Sequence, residues 1–134
     1  MTADLLARSV EGLVTGMTIY KGNVPKVPSY PYVLLSTNFP TVVERAQSRM
    51  VQARELRVRA TVVGESVQSV RIIGEKLADA LEGARVDLLN WRTGRIEARP
   101  NDQDIIADLD VTLASGLNPV YTVMDWVMTA SRIS

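Results

Sequence analysis

Glu55-Leu56-Arg57-Val58-Arg59-Ala60-Thr61-Val62-Val63, closed by Gly64-Glu65-Ser66, sets the architecture of this chain. Leu56, Val58, Ala60 and Val62 fall on one side, and Arg57, Arg59 and Thr61 on the other. A period of two belongs to a β-strand, here half-buried with a wet, basic outer face. Immediately afterwards the period lengthens. Over Val67 to Glu82, residues Val70, Ile73, Leu77, Ala80 and Leu81 make one stripe, while Arg71, Glu75, Lys76, Asp79 and Glu82 stay mostly outside it. Ser66 or Ser69 is placed to accept the free amides that open this helix, and Gly83 follows its end in the usual stop position.

Outward from this strand and helix, the same two periodicities assign most of the chain. On the N-terminal side, Leu6, Val10, Leu13 and Val14 predict a helix from Thr2 to about Thr15, ended by Gly16. A short strand over Met17–Tyr20 leads into the Lys-Gly-Asn turn. Pro25, Pro28 and Pro31 then impose an extended approach to the strand Tyr32–Thr37. Because Tyr32 to Leu35 is apolar throughout, this strand is expected inside the sheet and covered on both faces. The segment 38–54 reads as a long mobile loop, with one amphipathic helix from Val42 to Ala53 as the alternative.

On the C-terminal side, the pattern predicts a strand over Arg85–Asn90 with a hairpin partner at Arg95–Arg99. The segment 101–119 is compatible with a helix or an acidic loop. Val120 to Ile133 alternates again and closes the fold as a strand. No repeat or linker divides the chain, so residues 1–134 are read as one domain. The fold class is α+β: a mainly antiparallel, possibly mixed, sheet of four to six strands with two main helices packed on one face.

Composition narrows the function. With 134 residues, 46% of them hydrophobic and 22% charged, the chain can bury a core. It has no His and no Cys, which excludes Ser-His-Asp and Cys-His catalysis, imidazole or thiolate metal sites, and disulfides. Fifteen basic residues balance fifteen acidic ones, so any pull on a polyanion must be local. No apolar run reaches the ~20 residues that span a bilayer, and the acidic residues near the start do not resemble a signal peptide. The expectation is no membrane association and no export. The glycines match no phosphate-binding loop, and no carboxylate pair stands out. The expected role is therefore not enzymatic, with no cofactor and no catalytic residue. Asp102, Asp104, Asp108 and Asp110 lack the spacing of a calcium loop and read as a solvated acidic segment.

Two charge blocks remain. Arg45, Arg49, Arg54, Arg57 and Arg59 against Glu44 and Glu55 leave +3 over residues 44–59. This patch reads either as a phosphate-binding surface or as ordinary solvated arginines. From residue 101 onward, five Asp against Arg132 leave −4. If the two blocks occupy different flanks, copies can meet head to tail and close into a ring; plain solvation is the other reading. Trp126 reads equally as an interface anchor or as core.

Together, the N-terminal helix, the short strand, the run Val24-Pro25-Lys26-Val27-Pro28-Ser29-Tyr30-Pro31-Tyr32-Val33-Leu34-Leu35, the strand and Gly64 corner, the helix ending in Glu82-Gly83, a hairpin, and a last strand after Pro119-Val120-Tyr121 form a recognisable layout. It resembles the tail terminator, or tail completion, proteins of long non-contractile-tailed phages, the group related to the lambda terminator. The resemblance implies a structural protein of the virion tail or neck, assembled in the host cytoplasm. Copies of it would form a ring, commonly a hexamer, that caps the tail tube protein, stops its polymerisation and meets the head connector protein. Double-stranded DNA would pass through. In that picture Arg45, Arg49 and Arg54 become candidate pore residues facing DNA, and Arg57, Arg59, Asp102, Asp104 and Trp126 candidates for subunit or tube contacts. The alternatives are a head-tail connector or neck protein, or a non-viral α+β ligand-binding or regulatory dimer.

Overall fold

The computed structural model describes residues 2–38, 41–45, 51–99 and 104–133. The alternating stretch is the middle of a long strand, β4 (Val51–Gly64), which lies antiparallel to a second long strand, β8 (Val120–Arg132). Their register runs unbroken from Ala53 opposite Ser131 to Gly64 opposite Val120, so twelve residue pairs share one ribbon. On the other side of β4 lies β2 (Tyr32–Thr37), antiparallel, and beyond it β1 (Ile19–Lys21), parallel to β2. Three short strands, β5 (Trp91–Thr93), β6 (Glu97–Arg99) and β7 (Ile106–Ala107), each pair with a different part of β8. The sheet is thus mixed, with eight strands among the described residues against the four to six expected.

Both helices, α1 (Thr2–Glu11) and α2 (Val67–Leu81), cover one face. Every inward residue on the long strands shares the parity of Leu56, Val58, Ala60 and Val62, which are buried, as are Val33, Leu35, Trp126, Met128 and Ala130 opposite them. Leu6 and Val10 from α1 and Val70, Ile73, Leu77 and Leu81 from α2 complete this core. At the α2 entry the Ser66 side chain accepts the Ser69 amide at 3.1 Å, and Gly83 (φ 73°) follows the last turn. The Gly64 corner admits no side chain, since a Cβ there would stand 2.7 Å from Ser69 Oγ.

Several expectations need correction. The first helix ends at Glu11, four residues early, and its strand begins at Ile19. Leu34 is only half-buried, so β2 is internal to the sheet but covered on one face. The segment 38–54 is neither loop nor helix where it is described: β3 (Thr41–Arg45) runs antiparallel to the first residues of β4. Its register shifts between Val42 and Arg45, which breaks the alternation a strand would show. The expected hairpin of 85–90 with 95–99 does not form. A turn over Leu88–Trp91 replaces the first strand, and β5 and β6 use β8 instead. Residues 104–119 are neither helix nor plain loop, because β7 adds two residues to the β8 edge.

If the Ser66 hydroxyl caps α2 as described, Ser66→Ala should cost about 1 kcal/mol in urea unfolding with the m-value unchanged.

Candidate interaction surface

With both helices on one side, the other face of the sheet carries the outward residues of β2, β4 and β8. Register sorts them into two zones. Toward the C-terminal end of β2, Arg59 lies opposite Asp125, and Arg57 opposite Val127. The β6 strand brings Arg99 opposite Asp125 from the far side. Arg59 Nε meets Asp125 Oδ1 at 2.9 Å, and this hydrogen bond raises the already high pKa of the guanidinium. Arg57 and Arg99 approach the Glu55 carboxylate more loosely, at 3.8 and 4.0 Å. Asn38 extends β2 by one residue, accepting the Arg57 amide on its Oδ1 at 2.7 Å while its own amide donates to Arg57 O. Asn38, Arg57, Arg59, Arg99 and Asp125, with Ser36 and Thr37, line an open pocket of about 580 Å³. Exposed ion pairs of this kind contribute little to stability.

The opposite zone gathers all four tyrosines of the chain. Tyr20 from β1 stands edge-on to Tyr32 with ring centroids 5.4 Å apart, and Tyr30 lies against Tyr32 at the same separation. Tyr121 enters from β8, where it pairs with Val63, itself opposite Tyr32. Tyr30, Tyr32 and Tyr121, with Thr61, Val63, Val111 and Pro119, line a pocket of about 190 Å³ in which Asp108 is the charged residue. Burial, followed by Tyr30, Asp108 and Tyr20, pushes the Tyr32 phenol above its ordinary pKa.

The candidates from sequence are scattered by this geometry. Arg57 and Arg59 share the open face, as the alternation indicates. Arg54 has the opposite parity, the side of Leu56 and Val58, and is half-buried opposite Ala130. Arg45 ends β3, in register with Val51. Arg49 and Asp102 lie outside the described residues. Asp104 is exposed ahead of β7.

Trp126 is 1% exposed in the core, where its bulk leaves no surface for a second copy; its Nε1 has no hydrogen-bond partner among the described residues. Nor do the two charge blocks sit on separate flanks: Asp125 of the acidic block neutralises Arg59 of the basic one inside a single chain. The tyrosines, Asp125 and Arg99 escaped notice because only long-range register brings them together; Tyr30 and Tyr32, two apart in a strand, are the local trace. Among the described residues, no group of three or more carboxylates is placed to hold a metal ion.

No family model matches this chain, and no curated protein matches it. Among solved structures, it is similar to a chain in the virion of a native gene transfer agent particle. That likeness has a TM-score of 0.51 and 15% sequence identity, and it covers 93% of this chain and 84% of that one. At such an identity the likeness defines a shared α+β fold running through nearly the whole of both chains.

Since Tyr32 ionises above its ordinary pKa when folded, the stability tied to its neutral phenol is complete below the unfolded value near 10 and drains as pH rises through the folded value. In a near-ultraviolet titration the Tyr32 phenol should ionise above the ordinary tyrosine value. Tyr32→Phe should remove that step and flatten the alkaline fall in stability.

Proposed function

We propose that this chain is a virion structural subunit that forms a homo-oligomeric ring, caps the tail tube, ends its polymerisation and joins it to the head connector. The observation that carries the reading is the fold shared over 93% of the chain with a component of a gene transfer agent virion. The Pro-rich approach to Tyr32–Leu35 and the strand-corner-helix unit around Gly64 support the tail terminator assignment in particular. The role is architectural rather than catalytic. A sheet open on one face suits it, because a subunit that works by contact needs uncovered surface.

Within this reading, Arg57, Arg59 and Arg99 on the open sheet face join the sequence candidates Arg45, Arg49 and Arg54 as the groups that meet passing DNA. Each guanidinium on a phosphate displaces a condensed counterion, so binding falls with salt. The two sets are separable by mutation.

The purified protein should show a multimeric native mass and rings with a central hole by negative stain. It should also pellet with tail tubes assembled in the absence of heads. A connector would form rings yet stay in the supernatant, and a dimer with no hole would exclude both. Arg57→Ser with Arg99→Ser should leave rings intact and lower the salt dependence of duplex retention by about one to two phosphate contacts. If Arg45→Ser, Arg49→Ser and Arg54→Ser together abolish the ring, those residues belong to the subunit contact instead.

A further inference from the structure

Six of the ten large apolar side chains exposed among the described residues belong to segments at the two ends of the β4–β8 ribbon, which the twelve-residue register sets about 40 Å apart; Leu5, Val67 and Ile72 lie on the helices and Val27 in the Pro-rich approach. One end is the tyrosine pocket, with Val111 in its wall and exposed Ile106, Leu109 (79%) and Leu117 in the same segment of chain. The other is the turn Leu88-Leu89-Asn90-Trp91, closed by the Trp91 amide on Leu88 O, with Asn90 in the left-handed region (φ 67°). Turns of this kind favour small polar residues, yet Leu89 projects from it 88% exposed, beside half-exposed Ile133, whose amide bonds to Asn90 O.

The two ends differ in charge along the chain. Asp104, Asp108 and Asp110 lie in the segment that shapes the pocket, while Arg85 and Arg92 flank the Leu89 turn in sequence, with Asp87 between them, and Arg132 lies over the Trp91 ring that follows the turn. Two acidic ends repel each other, as do two basic ones, whereas one of each attracts.

We propose that these ends are complementary: the Leu89 turn of one copy seats in the tyrosine-lined pocket of the next, with Arg85 and Arg92 facing the Asp108 segment. The proposal rests on the ring reading and supplies its contact. Such an interface is heterologous, joining different patches on successive copies, and this class of contact closes into rings. The pocket offers the tyrosine rings, Val63, Val111 and Pro119 as apolar surface, with Asp108 as its charged residue, and its volume of about 190 Å³ admits an aliphatic side chain. Leu89, 88% exposed, contributes nothing to its own core and is free to enter a neighbour.

The test uses two variants of the full chain. Leu89→Asp spoils the knob and leaves the pocket; Val111→Asp places a second carboxylate at the pocket wall and leaves the knob. Each alone should weaken self-association at least tenfold and run as a monomer in light scattering, with circular dichroism and melting unchanged. Mixed, they should form one-to-one dimers and nothing larger, because each pair keeps a single intact contact. Leu89→Asn, which suits the turn and adds no charge, should also be monomeric.

Rings that persist in Leu89→Asp or Leu89→Asn would overturn the proposal, as would dimers of either acidic variant alone or a mixture that stays monomeric. A wild-type protein that is itself monomeric at high concentration would instead overturn the ring reading.

Discussion

The rest of the molecule depends on the pairing of β4 with β8. It ties residues some seventy positions apart into a ribbon twice the length of any other strand pair in the sheet, and each remaining element is placed by it. On its inner face, Leu56, Val58, Trp126 and Met128 receive the two helices. Along its edges it collects β2 on one side and three short strands on the other. Its length also exceeds what two helices can cover, which is why polar and apolar groups alike are left over on the outer face and at the ends.

That surplus is where the proposed contacts lie. The outer face divides into a zone of arginines partly held by Glu55 and Asp125, and a zone of tyrosines around a shallow pocket. Under the proposed reading the first zone meets a polyanion and the second receives apolar side chains presented by another copy. Half-buried Leu34 and Val123 lie between the zones, and half-buried Val127 lies opposite Arg57, so the open face is more apolar than solvent contact alone would favour.

Legibility followed periodicity. β4, α2 and β8 were evident because Leu56 to Val62, Val70 to Leu81 and Val120 to Met128 each hold one period for several turns or pleats. β3 was hidden by its register shifts near Glu44, which erase the alternation. β5, β6 and β7 have two or three residues each, too few for any period, and their partner is distant in sequence. The apolar run at Tyr32–Leu35 predicts cover on both faces, but Leu34 is only half-buried, because an apolar side chain on the outer face keeps the run unbroken without being covered. Trp126 carried two readings until its place opposite Val58 put it in the core. The tyrosine pocket could not be found at all from local pattern, since its walls come from β2, β4, β8 and the 108–119 loop.

Hydrogen exchange across assembly measures most directly whether the ribbon's unused ends are contact surfaces. If they are, amides in 106–117 and 87–92 should gain protection as the protein is concentrated from dilute solution, while those of α2, already buried against the sheet, stay constant. Protection that grows on α1 and α2 and leaves both ends unchanged would contradict the account, because the copies would then be meeting through the helical side.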